Sequence, residues 1–442
     1  MCFCTMRWWV AVEAIEDLLA DIIALGRQSV TEVECSFSED RSVSVSLRKK
    51  EVATATESVS SVLSVRTISD GRIGVSTTND PMRWKECLFA AIKSGRTATP
   101  QLWEGLPGPA VVDTTIASYD SAVDPGPQAA YLLLSGLLEG ASAHPVDISS
   151  GGADLSVGTA WLANSSGASY KRRESGVSCS LETISGQSTG SEFEQSFSAG
   201  IDPVKVGKQA AFLAAHSVDA GEVSTGSYDV VLSPIAFAQL LSYVVIPALS
   251  GRNVHAGRSK LADKTGLGVM DPALQIFDDP FAPRGLGRTP WDAEGVPARR
   301  IEFVRDGVLQ EFAYDLKTAY RYDKQSTASA VRNGYGGAPS IGFHNLILDG
   351  VRERIDDDRC IYIHDVVGAH TANPASGDFS VEISNPIWME NGEYGRPIRK
   401  AMLAGNVFSL LTALSGIGEG SRVVGSSIMP PVRLHNQRII GG

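Results

Sequence analysis

The chain has 442 residues, with 39 Lys and Arg against 50 Asp and Glu, so its formal net charge is −11. An acidic chain is poorly suited to coating nucleic acid or anionic lipid, which disfavours both as partners. Its hydrophobic fraction of 43% is ordinary for a globular protein, and its length predicts two or three domains.

The sequence lacks the features of a secreted or membrane protein. The first ten residues, MCFCTMRWWV, lack the basic start, apolar core and small-residue cleavage site of a signal peptide. No window approaches the ~18–20 apolar residues of a membrane helix. The six cysteines contain no C-x-x-C pair and do not look like a disulfide framework. We therefore expect a reduced, cytoplasmic protein without membrane contact.

The first half alternates between helical and strand-like patterns. Apolar residues recur at helical spacing over 11–25, which predicts an amphipathic helix. Period-two alternation over 43–47 and an apolar run over 62–68 predict strands, and Asp70-Gly71 predicts a tight hairpin turn after the second. Further helices are predicted at 81–94, 128–138 and 203–219, and several long strands at 146–197.

A small-residue joint at 221–227 predicts the main boundary, between an N-terminal domain of residues 1–222 and a C-terminal domain of residues 223–442. Beyond it, 228–232 reads as a buried strand. Ser233 and Pro234 are then typical of the N-cap and first turn of a helix. A last apolar helix is expected near 408–414. The order of elements predicts an α+β fold with mostly antiparallel sheets flanked by helices.

The seven histidines do not predict a metal site. The closest pair, His364 and His370, is six residues apart. On a helix the two rings would diverge by ~240°, and on a strand they would lie ~20 Å apart. Only an intervening loop could bring them to one ion, so we expect no metal site built from this chain alone.

Other catalytic patterns are weak. Ser188 lies in a G-x-S-x-G match, but its neighbours resemble a half-exposed strand and not the strand-turn-helix that a nucleophile elbow needs. The glycine-rich stretches at 334–337 and 416–420 also lack a strand-to-helix setting, so they are interpreted as turns. The acidic pairs in 278–280 and 292–295 are either structural loop caps or part of a groove, and we favour the structural interpretation.

An ordered set of motifs resembles the TldD/PmbA family. The set fits over roughly 200 residues from Tyr228, and the hairpin at 70–74 fits the family's first domain. The motifs are DVVLSP at 229–234, DDP at 278–280, DAEGVPAR at 292–299, DGVL at 306–309, TAY at 318–320, NPASGDFS at 373–380, ENGE at 390–393, AGN at 404–406 and the Pro430-Pro431 segment.

This resemblance implies a two-domain α+β protein that forms dimers and acts in cytoplasmic peptide hydrolysis. One branch of the family carries H-E-x-x-x-H on the helix after the buried strand, and a later Cys completes a zinc site. Here that helix reads LSYVVIP at 241–247, and the last cysteine, Cys360, precedes the GDFS segment. The sequence thus resembles the PmbA/TldE branch, which implies no catalytic residue, metal or cofactor in this chain and zinc in a partner subunit.

We therefore expect a non-catalytic TldE/PmbA-like subunit that pairs with a TldD-like catalytic subunit and handles unfolded peptides. The alternatives are a homodimeric peptide-binding or regulatory protein, matching the family label "modulator of DNA gyrase", and an independent hydrolase using Ser188 or the Asp292/Glu294 pair. A sheet edge within 146–197 is a candidate for pairing with extended peptide. The candidate groove or structural residues are Asp279, Asp292, Glu294, Asn373, Gly377 and Asp378.

Overall fold

The structure is a computed structural model that describes residues 12–113, 115–116, 118–332 and 337–442. The first ten residues, with Cys2 and Cys4, and most of the glycine stretch at 334–337 therefore lie outside the described residues. The helices are α1 (Val12–Gly26), α2 (Trp84–Thr97), α3 (Pro127–Ala141), α4 (Pro203–His216), α5 (Pro234–Leu249), α6 (Gly251–His255), α7 (Leu316–Arg321) and α8 (Val407–Thr412).

The first half of the chain forms one antiparallel sheet of long strands in the order β3-β2-β1-β4-β5-β6. The predicted turn at Asp70-Gly71 joins β2 to β3, with φ of 52° and 70° at its two residues, as a type I′ hairpin requires. The strands are β1 (Glu32–Arg48), β2 (Glu51–Ser69), β3 (Arg72–Thr78), β4 (Asp147–Asn164), β5 (Ser169–Ser185) and β6 (Ser188–Ser196).

Apolar residues on one face of this sheet pack against α1 to α4. On β1 the apolar ones all have odd numbers, because side chains alternate between faces along a strand: Val33, Cys35, Phe37, Val43, Val45 and Leu47. The helices α3 and α4 cross closely at Gly140 and Gly207, where an added Cβ would lie 2.0 Å from a carbonyl oxygen of the other helix. The helices therefore cover the apolar residues on this face of the sheet.

The second half forms a core around α5, whose apolar residues are buried on most of its circumference. Ser233 caps α5 as predicted, accepting hydrogen bonds from the N–H groups of Ile235 and Ala236. Three sheets surround this core, in the orders β10-β9-β8-β13-β22-β21, β11-β12 and β15-β16-β19-β23-β7-β14-β17-β18, with β20 also paired to β23.

The strands of the second half are short, and two of their pairs, β13–β22 and β7–β14, are parallel. The strands are β7 (Gly226–Leu232), β8 (Leu274–Asp278), β9 (Ile301–Arg305), β10 (Val308–Leu309), β11 (Ala330–Val331), β12 (Ser340–Ile341), β13 (Leu346–Gly350), β14 (Cys360–Ile363), β15 (Asp365–Val367), β16 (Asp378–Ser384), β17 (Ile387–Glu390), β18 (Glu393–Pro397), β19 (Met402–Asn406), β20 (Leu414–Ile417), β21 (Arg422–Val424), β22 (Ser427–Met429) and β23 (Val432–Ile440).

The α+β class with mostly antiparallel sheets is confirmed. The strands of the first sheet all precede α4, and every other described strand follows it. The exact division at residue 222 stays a prediction. No helix among the described residues is long and apolar enough to cross a membrane.

Candidate functional site

The second face of the first sheet is polar and meets the C-terminal half. The even-numbered residues of β1 from Glu34 to Ser46 are all Glu, Asp or Ser, and their cross-strand neighbours on β4 include Gly158 and Ala160. Small and polar side chains leave room above a sheet where large apolar ones would fill it. The sequence showed this alternation, and the structure shows that part of the polar face lines an internal cleft.

The cleft has a volume of about 810 Å³ and lies between this face and loops of the C-terminal half. Its floor is formed by residues on β1, β2, β4 and β5, namely Ser36, Ser38, Asp40, Ser42, Val62, Ser156, Ala160, Arg172 and Glu174. Its roof is formed by residues 286–289, 291–293, 330–332, 343–344 and 425–426. Its volume falls within the range of about 300–1,000 Å³ that is typical of ligand-binding pockets.

A buried network of four charged side chains joins the two halves beside the cleft. Arg66 on β2 lies opposite Glu34 on β1, and its guanidinium contacts Glu34 at 2.5 Å and Glu294 of the C-terminal half at 2.6 Å. Arg332 contacts the other oxygen of Glu34, also at 2.6 Å. The two positive charges of the arginines balance the two negative charges of the carboxylates, so each buried charge has a partner.

The predicted acidic pair Asp292 and Glu294 lies in a turn of the roof, and the two residues do different things. Both oxygens of Asp292 accept backbone N–H groups, from Glu294 and Val296 at one oxygen and from Ala330 at the other. Glu294 instead reaches across to Arg66 and also accepts the N–H of Leu316 at 2.7 Å. Asp292 therefore stabilises the backbone conformation of the roof, and Glu294 connects the roof to the sheet through Arg66.

Burial controls the titration of this acidic pair. It raises the pKa of Asp292 well above its usual value, the nearby charge of Glu294 adds to the rise, and the backbone N–H bonds oppose it. Burial also raises the pKa of Glu294, and the charge of Arg66 opposes that rise. The hydrogen bonds of Asp292 and Glu294 give both carboxylates a structural role. Any contact of either residue with a substrate stays a prediction.

The neighbouring motif at 278–280 positions a second part of the roof. Asp278 is buried and accepts the backbone N–H groups of His344 and Asn345, at 3.0 and 2.6 Å. Asp279 accepts the N–H of Phe281 at 2.8 Å and thereby forms a local turn. Asp279 thus lies next to the cleft loops without lining the cleft.

The remaining candidates lie in a different place. Asn373 accepts the N–H groups of Ala375 and Ser376, and Gly377 adopts a φ of +88° that favours glycine. Asp378 is exposed, and hydrogen bonds from Asn406 and Ser376 hold its pKa below the usual value. The structure therefore separates this capped turn, beside α8, from the cleft that holds Asp292 and Glu294.

Several residues of the site escaped prediction, notably Glu34, Arg66, Arg172 and Arg332. Arg172 donates to Thr289 Oγ1 at 2.6 Å and links β5 to the roof. A usable signal existed at Arg66, a charged residue within the apolar run 62–68, whereas Glu34 fits the polar positions of the alternating strand β1. A charge in that setting is usually paired. The partners in this charged network could not be identified from sequence spacing, since Glu34 and Arg332 are 298 residues apart.

A second cavity, of about 620 Å³, lies between β6 and the start of α5. His364 is buried there, with Nε2 at 3.2 Å from the carbonyl oxygen of Ser191 and 3.6 Å from Glu192. Burial lowers the pKa of His364. Arg422 pairs with Glu192 at 2.6 Å. This cluster closes the contact between β6 and the C-terminal half.

The helix α5 lacks side chains that could bind zinc. Its exposed side carries Ser242, which donates to the carbonyl of Ala238, and Tyr243, which meets His370 edge-on at 6.3 Å. Neither is an imidazole, thiolate or carboxylate ligand of the kind zinc takes. The described residues hold no group of three His, Cys, Asp or Glu arranged to bind a metal. The residues of α5 thus do not fit a zinc site of the H-E-x-x-x-H kind.

Ser188 does not lie on a nucleophile elbow. It begins β6 immediately after the turn from β5, so its setting is a hairpin, and its Oγ donates to the carbonyl of Ser217 at 2.7 Å. An elbow requires a strand followed by a helix. The interpretation of the G-x-S-x-G match as coincidental agrees with this geometry.

Comparison with protein families places three consecutive models on the chain. The PmbA/TldA metallopeptidase domain 1 matches residues 33–97, the central domain matches 121–218, and the C-terminal domain matches 225–441. The first sheet thus divides between the first two models, and α5 with its sheets falls in the third.

Relatives and solved structures match over most of the chain. An uncharacterized protein of Methanocaldococcus jannaschii is 29% identical and aligns with 93% of this chain and 98% of its own length. A metalloprotease of Methanothermobacter thermautotrophicus is 24% identical, aligning with 81% of this chain and 82% of its own.

Among solved structures, TldE from Thermococcus kodakarensis gives a TM-score of 0.90 at 24% identity, covering 96% of this chain and all of its own. A putative modulator of a DNA gyrase from Thermotoga maritima gives 0.86 at 25% identity with the same coverage.

Proposed function

The chain belongs to the PmbA/TldD metallopeptidase family, and from this premise we propose that it is a non-catalytic, TldE/PmbA-like subunit of a zinc metalloprotease. Its partner would be a TldD-like subunit that carries the zinc, and their substrates would be unfolded peptides in the cytoplasm. The shared fold with a solved TldE supports the fold part of this proposal.

The observation that carries the proposal is the chemistry of α5. Ten of its residues are buried, all of them apolar, and its sequence contains no His, Glu, Asp or Cys. A zinc peptidase needs ligands and a general base to activate water, and this helix supplies neither. The last cysteine, Cys360, is buried, and burial raises its thiol pKa to about 11, so it is poorly suited to bind metal as a thiolate.

The role left to this chain is to bind and orient substrate, for which the cleft offers suitable chemistry. Its floor presents hydroxyls, carboxylates and the guanidinium of Arg172, which can exchange hydrogen bonds with a peptide backbone of any sequence.

The experiment is reconstitution. The chain and the H-E-x-x-x-H subunit of the same organism are purified separately and assayed on unfolded casein, alone and mixed. We expect peptidase activity in the mixture and none in this chain alone. A mixture whose catalytic subunit has the motif Glu changed to Gln is the matched control and should be inactive. Activity of the lone chain, or failure of the two chains to associate, would contradict the proposal.

A second candidate is a homodimeric peptide-binding or regulatory protein without protease activity. The cleft favours it, since the hydroxyls and carboxylates on its floor can exchange hydrogen bonds with a peptide backbone without a catalytic subunit. Fluorescence anisotropy of a labelled unfolded peptide with this chain alone tests it. Binding that Arg172→Ala weakens, together with indifference to the catalytic subunit, would favour this candidate.

A further inference from the structure

Hydrogen bonds from neighbouring elements cap some stretches of the outer edges of the first sheet and leave another stretch uncapped. At the β3 edge, Val75 donates its N–H to Ser94 Oγ of α2 at 3.2 Å. At the β6 edge, side chains of the C-terminal half donate to alternate carbonyl oxygens: Asn385 to Thr189 at 2.8 Å, His364 to Ser191 at 3.2 Å, and Arg422 to Phe193. Both outermost strands are therefore protected against pairing with another strand.

This finding bears on the predicted peptide-pairing edge within 146–197. The strands β4 and β5 are internal to the sheet, and β6 is the edge strand of that segment. Its three capped carbonyls leave residues 189–193 without free acceptors on the outer side. The predicted edge is thus closed along this stretch by the C-terminal half of the same chain.

One stretch of edge is left open. The strand β2 has 19 residues, but β3 pairs only with Leu63 to Ser69. Across the described parts of the chain, no strand or side chain hydrogen-bonds to the outer backbone of residues 51–60. Residues 51–59 are also exposed on both faces. This edge is about 35 Å long, with alternate N–H and C=O groups unpaired.

The sequence of this edge carries little of the usual protection: Glu51 and Glu57 are its only charges, and one bulge, between Val52 and Thr54, interrupts its pairing with β1. Residues 51–62 read EVATATESVSSV, rich in Thr and Val, with no Pro or Lys. Natural proteins block long exposed edges with charges, prolines or bulges, since such edges recruit other strands. A chain that caps its other two edges and leaves this one bare is expected to use it.

We propose that the open edge of β2 is where the catalytic partner subunit docks, by adding its own equivalent strand to the sheet. This inference rests on the proposed function, since a TldD-like subunit of the same family would carry the same hairpin. Two such edges are complementary in an antiparallel, two-fold arrangement. For a partner strand that carries its charges at the same positions, an axis at Ala55 places no Glu opposite another, because positions 51 and 57 then face positions 59 and 53.

The position of the edge connects docking to the cleft. Val62, two residues beyond the inner end of the open stretch, lines the cleft together with Ser38, its neighbour on β1. A partner strand paired to β2 would therefore extend the floor of the cleft toward the partner. Substrate held in the cleft would then lie between this chain and the subunit that carries the zinc.

Hydrogen–deuterium exchange tests the proposal directly. The chain is measured alone, with the H-E-x-x-x-H subunit, and with unfolded peptide. With the subunit, about half of the amides of residues 51–61 should slow their exchange by about tenfold or more, because alternate N–H groups face outward. The capped strand β6 serves as internal reference and should not change.

The outcomes are separable. A complex that forms without protection of 51–61 overturns the docking edge and leaves the proposed function standing. The absence of any complex overturns both. Protection by peptide alone, or by self-association, assigns the edge to another occupant and also overturns the proposal.

Two single variants give an independent reading. Consecutive residues point their N–H groups to opposite edges, so one of Ala55→Pro and Thr56→Pro removes an outward donor and the other removes a donor to β1. The outward variant should lose about tenfold in affinity for the subunit with little change in stability. Leu132→Lys, exposed on α3, is the control and should bind normally. Normal binding by both proline variants would overturn the proposal.

Discussion

The first sheet joins to its surroundings differently on its two faces. On one face, residues such as Leu63 and Leu181 are fully buried under α1 to α4, and apolar packing holds them. On the other, small polar residues line the cleft, and the contact with the C-terminal half depends on Arg66 and its two carboxylates. The comparison shows how a sheet can be held from both sides while one side keeps a cleft lined with small polar residues.

The largest effect is expected from breaking the polar face. Arg66→Met leaves Glu34 buried with Arg332 alone and leaves Glu294 without its arginine, which should cost about 3–5 kcal/mol of unfolding free energy. Denaturant titration measures the loss. Arg41→Met removes an exposed pair with Glu57 on the same two strands and should cost no more than about 1 kcal/mol. Equal losses in the two variants would show that the network is not essential.

A substitution on the apolar face of the sheet should lower the stability somewhat less than Arg66→Met. Leu63→Ala removes a fully buried side chain, which should cost about 3 kcal/mol through lost burial and the cavity left behind. Val59→Ala, four residues earlier on the same strand and 64% exposed, is the control and should change stability by less than about 0.5 kcal/mol. A loss for Leu63→Ala no greater than the control would contradict the assignment of this face to the core.

A smaller, pH-dependent effect is expected on the cleft floor. Burial, with the charges of Glu174 and Glu39, raises the pKa of Asp40 to about 6. The ionised form is thus disfavoured in the folded state, so the stability that protonation supplies is present below pH ~4 and is lost as pH rises through about 6.

The isosteric Asp40→Asn does not titrate, so the variant should gain stability relative to the natural chain between pH 4 and 7. Since Asp40 is only partly buried, we expect a gain of about 1 kcal/mol. Thermal unfolding of both chains across this range measures it. A difference that does not vary with pH would refute the raised pKa.

The smallest effect is expected at the capped turn beside α8. Asn373→Ala removes the single side-chain oxygen that accepts two backbone N–H groups in a solvent-exposed turn, which should cost at most about 1 kcal/mol. Circular dichroism melting is sufficient to measure it. A loss as large as that of Arg66→Met would mean that this turn supports more of the fold than its contacts indicate.

Local patterns carried most of the fold prediction. The hairpin at Asp70-Gly71 and the cap at Ser233 were predicted because short-range backbone chemistry decides them. The Ser and Val alternation on β1 predicted a strand, but what lies against its polar face depends on contacts from beyond residue 280. Spacing cannot reveal such contacts, which is why Arg66 and Arg332 were missed and Glu294 was noticed only as part of a motif.

The separation of Asp292 and Glu294 from Asn373, Gly377 and Asp378 was equally beyond local reasoning. All five belong to short motifs rich in acidic, glycine or amide residues, which are typical both of turns and of binding sites. Only the fold distinguishes a carboxylate that crosses between the two halves from one that caps an exposed turn. The resemblance of the whole ordered set, by contrast, was informative because it did not depend on the role of any single residue.

Native mass spectrometry with metal analysis, on this chain alone and with its H-E-x-x-x-H partner, tests the central claim most directly. The account predicts a one-to-one complex with one zinc, peptidase activity in that complex, and no stoichiometric zinc in the lone chain. Stoichiometric zinc together with peptidase activity in the lone chain would contradict it.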